Sequence, residues 1–228
     1  MATKGKKVDL SNYTKGEYIG RGAFGYVHVC TNKKTKRRYA AKISILGSKD
    51  VEKQFSREIE TLSHVNHPCV IKLEGYSLKN FEGDSVPVIL TDYMMGGSLK
   101  DAIEAEYKNK PIKNWNNTRK QIILFGMVAG IKALHDNNII HRDFKPDNVL
   151  LDGSLNPHII DFGLAKILDP ESSINMSMHG GTAAYMAPEL IEESDFSYPV
   201  DIFAFGISAY ELICGKPAYE KKCPVGKI

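Results

Sequence analysis

Asp143 and Asn148 stand five residues apart in the run His141-Arg142-Asp143-Phe144-Lys145-Pro146-Asp147-Asn148, with Lys145 between them. On one loop, a carboxylate and an amide at that spacing can hold a hydroxyl nucleophile and a magnesium ion together. A lysine two residues after the Asp can reach a phosphate in transfer. The same stretch of chain continues into Asp161-Phe162-Gly163 and then Ala187-Pro188-Glu189. Far upstream lies a second group suited to phosphate. Gly20, Gly22 and Gly25 form a G-x-G-x-x-G run followed by Tyr26-Val27, and Lys42 closes the segment Ala40-Ala41-Lys42.

These residues need elements to position them. From Tyr18 the side chains alternate, with Tyr26, His28 and Cys30 on one side and Val27 and Val29 on the other, which predicts a strand. The basic run Lys33-Lys34-Thr35-Lys36-Arg37-Arg38 reads as a solvated turn, and Tyr39 to Ile43 as the next strand. Phe55, Ile59 and Leu62 recur at helical spacing in Val51 to Val65, and His67-Pro68 stops that helix. Val70 to Leu73 and Val86 to Tyr93 predict two more strands. Met95-Gly96-Gly97 breaks the pattern, and helices dominate beyond it. Thr118 to Asp136 is an amphipathic helix whose predicted buried face is Ile122, Phe125, Val128, Ala129, Ile131 and Leu134. Asp201 to Cys214 is apolar nearly all round, so it is expected to be buried. The predicted organisation is a flexible lead-in over residues 1–16, a strand-rich unit over 17–94 and a helical unit over 95–228.

A chain of 228 residues with 43% hydrophobic and 25% charged residues has the composition of a globular protein with a real core. The net charge of +3 argues for neither nucleic acid nor a membrane as partner. Cys30, Cys69, Cys214 and Cys223 show no metal-ligand or C-x-x-C spacing, which fits free thiols in a reducing compartment. No stretch approaches the ~20 apolar residues of a membrane span. The expected location is the cytoplasm, with the nucleus open.

The G-x-G-x-x-G run is ambiguous alone, because dinucleotide-binding folds carry it too. There it opens a helix; here an alternating strand and a basic turn follow Gly25. Taken with His141 to Asn148, Asp161-Phe162-Gly163 and Ala187-Pro188-Glu189, in order and at family spacing, the chain resembles the eukaryotic protein kinases of serine/threonine type. The resemblance covers roughly residues 17 to 219. It implies a two-lobed α+β fold, with an antiparallel-sheet N-lobe and a helical C-lobe, that uses ATP and Mg2+. Lys42 would fix the phosphates and Glu58 would pair with it. Val27, Ala40 and Leu150 would sandwich adenine, and backbone groups of Asp92 and Met94 would bond to it. Thr91 would be the gatekeeper, small enough to leave a back pocket open. Asp143 would take the hydroxyl proton, and Asn148 and Asp161 would hold magnesium. Lys145 and Gly181-Thr182 match the serine/threonine form, with Thr182 bonded to Asp143 and Lys145. Asp201 would support the catalytic-loop backbone. Phe205-Gly206-Ile207 and Leu73-Glu74-Gly75-Tyr76 favour the tyrosine-kinase-like group.

The partners implied are ATP, a protein substrate and an upstream activating kinase acting on Ser177, with Ser172 and Ser173 as secondary sites; Arg142 and Lys166 would bind the phosphate. The sequence also departs from the family. No Arg follows Arg142, whereas the family pairs an Arg from later helices with the Glu at position 189. The helical lobe is therefore expected to be truncated, and its exposed apolar surface implies self-association. Two alternatives stay open at this level: an ATP-binding scaffold without turnover, and a small-molecule kinase of similar fold.

Overall fold

The structure, a computed structural model, describes residues 5–22, 25–45, 49–168, 181–192 and 197–219. Five antiparallel strands form the upper half: β1 (Tyr13–Gly22), β2 (Gly25–Asn32), β3 (Arg38–Ser44), β4 (Leu73–Ser77) and β5 (Val88–Asp92), in the order β1-β2-β3-β5-β4. The alternation predicted from sequence decides which side chain goes where. On β3, Tyr39, Ala41 and Ile43 are buried with Cys30, Val88 and Leu90 on one face. Ala40 and Lys42 therefore point to the other face, where the register sets Lys42 opposite Val27 and Ala40 opposite Thr91.

The first helix, α1 (Lys49–His64), lies against the sheet. Phe55 and Ile59 pack on Tyr76 of β4 and Ile89 of β5. Their helical spacing makes one apolar stripe, and Glu58 next to it is carried inward to only 7% exposure.

The lower half contains α2 (Leu99–Tyr107), α3 (Asn117–Asp136), β6 (Ile139–Ile140), β7 (Val149–Leu151), β8 (Pro157–Ile159), β9 (Lys166–Ile167), α4 (Pro188–Ile191) and α5 (Pro199–Cys214). β6 pairs with β9 and β7 with β8, both antiparallel. The junction between halves is short. Gly96 N donates to Leu151 O and Leu151 N to Gly97 O, so the glycine pair is stitched to β7. Ser98 then caps α2 in a reciprocal box with Asp101. At its other end α5 stops at Gly215, whose φ of 63° is the left-handed cap that glycine takes without strain.

Four expectations are corrected. Residues 5–16 are not a loose lead-in: β1 starts at Tyr13, and Leu10 and Tyr13 are buried beneath the sheet with Val86 and Val88. The apolar run Val70 to Leu73 is not a strand of the sheet. Ile71 N donates to Ile159 O and Ile159 N to Cys69 O, so the run serves the lower core, and the strand starts at Leu73. On α3 the buried face is Ile123, Gly126, Met127, Gly130, Ile131 and Leu134, whereas Ile122, Val128 and Phe125 face outward, Phe125 at 79% exposure. The cause is close approach. A Cβ on Gly126 would come within 2.5 Å of Pro157 Cγ, and one on Gly130 within 2.7 Å of Ile159 Cδ1. The two glycines let β8 sit directly on the helix, and that contact outweighs the larger side chains one step round. Lastly, α5 is buried on one side only. Val200, Ala204, Ser208 and Leu212 face inward, while Ile202, Phe203, Tyr210 and Ile213 are exposed.

Candidate active site

The loop after β6 is held from below by one carboxylate. Asp201, on the first turn of α5 and 1% exposed, accepts the backbone N–H groups of His141 at 2.8 Å and Arg142 at 2.9 Å. His135 Nε2 lies 2.9 Å from the same carboxylate. Arg142 sits at φ 69°, a left-handed conformation that costs a non-glycine residue about 1–3 kcal/mol. The paired amides hold it there. His141 anchors the other side, its Nε2 2.9 Å from Ile160 O and its ring against Phe144 and Phe162.

This frame brings Asp143, Lys145, Asn148 and Thr182 into one network. Lys145 Nζ donates to Asp143 Oδ2 at 2.6 Å and to Thr182 Oγ1 at 2.6 Å. Thr182 donates to Asp143 Oδ1 at 3.0 Å. Asn148 Nδ2 donates to Asp143 O at 2.8 Å and Oδ2 at 3.0 Å, which leaves its Oδ1 as the acceptor of that amide. A charge-assisted network of this kind fixes the Asp143 carboxylate in one orientation.

Across the cleft, Lys42 Nζ donates to Glu58 at 2.7 Å and to Asp161 at 3.0 Å. Residues from β3, α1 and the loop before β9 thus meet at one ammonium. Burial works against the charge on Lys42, yet Glu58 and Asp161 outweigh it and hold the ammonium well above the usual lysine range. For Glu58 burial prevails over the attraction of Lys42 and pushes the carboxyl above the usual glutamate range, with Asp161 adding to the rise. Asp161 is buried too, but Lys42 wins there and keeps it below the usual aspartate range. Asp161 also adopts a left-handed φ of 63°.

The glycine run forms the β1–β2 hairpin, with Gly22 opposite Gly25; the tip at residues 23–24 lies outside the described residues. Gly25 is a steric requirement, because a Cβ there would overlap Ile43 O. Gly20 faces open space. At the end of β5, Thr91 and Asp92 are half-buried, and Met94 packs on the lower core. Arg37 pairs with Asp92 at 2.8 Å and Arg38 stacks on Tyr93 at 4.4 Å, so the basic turn is tied to this segment as well as solvated. Leu150 rises from below on β7, bridged to Ser98. The cavity behind Lys42, lined by Val51, Phe55, Glu58 and Ile89, holds about 10 Å³. That is room for one water.

Three contributors escaped the sequence reading. Arg57 donates to Gly163 O at 3.1 Å, tying α1 to the loop that carries Asp161. Its charge, after burial, lowers the basicity of Arg142, and it lines an open cleft of about 710 Å³ together with Lys166. His135 adds to the Asp201 anchor. Glu211, 8% exposed on α5, accepts Tyr185 OH at 2.9 Å and Ala218 N at 2.9 Å. Burial first, then Glu211, pushes the Tyr185 hydroxyl far above the usual tyrosine range. A second acid, ten residues after Asp201 in a mostly apolar helix, was the signal available for Glu211. Ser172, Ser173 and Ser177 lie outside the described residues. No helix among the described residues is long and apolar enough to cross a membrane.

Residues 13–225 match the family described as Protein kinase domain. The chain is 35% identical over 213 residues to myosin light chain kinase A of Dictyostelium discoideum, covering 91% of this chain and 68% of that protein. It is 39% identical over 206 residues to a receptor-like protein kinase of Ipomoea nil, covering 89% of this chain and 18% of that protein. An Aurora kinase of Patiria pectinifera is 31% identical over 225 residues, covering 97% of this chain and 53% of that protein. The chain therefore spans anything from under a fifth to about two thirds of these relatives.

Proposed function

This chain belongs to the protein kinase domain family, and from that premise we propose that it transfers the γ-phosphoryl group of ATP to serine or threonine hydroxyls of protein substrates. The observation that carries the reading is the Lys42 ammonium, held between Glu58 and Asp161 across from the Asp143–Lys145–Thr182 network. In this reading adenine lies between Val27 and Ala40 above and Leu150 below, and bonds to the backbone of Asp92 and Met94 next to Thr91. Gly20, Gly22 and Gly25 let backbone approach the phosphates. Lys42 orients the α- and β-phosphates, and Glu58 keeps Lys42 in place.

Asp161 and Asn148 Oδ1 are hard oxygen donors, the type that suits magnesium, which usually takes one or two protein oxygens and fills the rest with phosphate and water. Bound there, magnesium would offset phosphate charge. Asp143 accepts the substrate hydroxyl proton, and Lys145 steadies both Asp143 and the phosphoryl group in transfer. Thr182 and Lys145 favour serine/threonine specificity. The tyrosine-kinase-like group rests on the two short motifs noted above. A scaffold without turnover has less support, because no catalytic group is missing from the network.

Activation by an upstream kinase at Ser177 fits the like charges of Arg57 and Arg142, close enough to repel each other, and the presence of Lys166 in the cleft that Arg57 lines. Phosphate adds about −1.5 to −2 charges, which such cations would bind. Self-association through α3 and α5 is supported by exposed Phe125, Phe203 and Ile213. A cytoplasmic location agrees with the unpaired thiols of Cys30, Cys69 and Cys214.

The test is a radiolabelled-ATP assay with a generic basic protein substrate. Wild type transfers label to serine or threonine, and Asp143→Asn loses at least ~10²-fold in rate. Full turnover in Asp143→Asn would overturn the mechanism.

A further inference from the structure

The segment Gly5–Val8 has no part in the site described above, yet it is built onto the elements that carry it. Lys7 bridges Tyr76 in parallel fashion; Tyr76 N donates to Lys6 O at 2.9 Å and Val8 N donates to Tyr76 O at 2.9 Å. The segment thus extends the sheet by pairing with β4, which is otherwise an edge strand. Two glycines set how closely it docks. A Cβ on Gly75 of β4 would come within 2.5 Å of both Lys6 O and Val8 Cγ1. A Cβ on Gly5 would come within 2.7 Å of Ile59 Cγ2, 3.2 Å of Tyr76 Cδ1 and 3.4 Å of Leu73 Cδ2. Gly5 therefore presses its backbone onto Ile59, the fully buried α1 residue next to Glu58. The far end of the segment is fixed as well. Asp9 caps the turn Leu10–Asn12 through Ser11 N at 2.9 Å, and Leu10 is buried beneath the sheet.

We propose that Gly5–Val8 is a positioning strap for α1, holding Ile59 against β4 so that Glu58 stays within reach of Lys42. The proposal rests on the kinase reading of the Lys42–Glu58 pair. The physical logic is a population shift. A helix attached to a sheet by one apolar stripe can tilt away, and a contact made only in the inward position raises the share of chains in that position. The strap makes such a contact at Ile59, and its own docking is specified by hydrogen bonds on both sides of Tyr76. The strap touches neither nucleotide nor substrate in this scheme and acts only through α1.

The experiment uses the full 228-residue chain with two separate substitutions. Gly75→Ala pushes the strap off β4, and Gly5→Val lifts it from Ile59, its tightest contact, with every residue of β4 unchanged. Amide hydrogen exchange reads the α1 backbone directly, whatever the activity. Each substitution is expected to speed exchange in α1 about tenfold while exchange in α3 and α5 stays unchanged. Turnover should fall about tenfold in kcat/KM for ATP, with KM for the protein substrate unchanged. In a Glu58→Gln background the same substitutions should cost no further rate, because the strap works through Glu58. Unchanged α1 exchange in Gly5→Val overturns the proposal, and so does a full additive loss in the Glu58→Gln background. If Gly75→Ala fails to fold, Gly5→Val decides alone. A wild-type protein without turnover would count against the kinase reading, and the exchange measurement would still decide whether the strap holds α1.

Discussion

Asp201 and Arg142 are joined by a 2.9 Å hydrogen bond from the Arg142 backbone N–H, across 59 residues of chain. The bond ties a left-handed residue of the loop after β6 to the more buried acid of α5. Asp201→Ala removes the acceptor for two N–H groups, those of His141 and Arg142, at about 1–3 kcal/mol for each one left buried and unsatisfied. The variant is expected to unfold at lower denaturant and to lose phosphoryl transfer while nucleotide affinity changes less. Urea unfolding and nucleotide titration on the same protein check both halves.

The pH dependence follows from Glu58 and Asp161, which move in opposite directions. Burial raises the Glu58 carboxyl despite Lys42, so protonation begins above the ordinary glutamate range and breaks the pair with Lys42. The kcat/KM for ATP should therefore fall on an acid limb set by Glu58, and Glu58→Gln should be slow and lack that limb. Asp161 is depressed, chiefly by Lys42 against burial, so its contribution to stability is present above the ordinary aspartate range. It is lost as pH falls through the lower folded value. Glu58 has the reverse sign: its folded state favours the protonated form, so its effect on stability weakens as pH rises through the raised value. A pH–rate profile paired with pH-dependent melting separates the two groups.

Gly126 and Gly130 leave no room for a side chain against β8. Gly130→Val should cost about 1–3 kcal/mol through overpacking, or more if α3 is forced away from Ile159. Gly206, which has open space around it, provides the control: Gly206→Ala should be neutral or mildly stabilising, since alanine is the better helix former. Thermal melting of the two variants side by side is the measurement.

The outward faces of α3 and α5 should govern association. Phe125→Ser and Ile213→Ser replace exposed side chains, at 79% and 61% exposure, so stability should change by no more than about 0.5 kcal/mol. The double variant should elute as a monomer at concentrations where wild type self-associates. Size-exclusion chromatography across a dilution series reads this directly, and a monomeric wild type would remove the self-association reading.

The sequence alone determined the parts whose chemistry is contiguous. His141 to Asn148, Asp161-Phe162-Gly163 and the glycine run each occupy one short stretch, so residue type and spacing suffice to read them. The alternation in β2 likewise put Val27 and Val29 on one side and Tyr26, His28 and Cys30 on the other, because a strand has a period of two, whereas the register with β3 set Lys42 beside Val27. Where the pattern was degenerate, only the tertiary structure decided. Apolar residues surround α3 on several sides, and two glycines against Pro157 and Ile159 select the buried face by permitting close approach. The polar, basic residues 5–8 carry no apolar period, yet the free edge of β4 and the gap at Gly75 give their backbone a place to pair. The bonds that assemble the site join residues as much as 119 positions apart, as Lys42 and Asp161 are. No local rule encodes such pairs: each depends on two surfaces packing before the polar groups can meet.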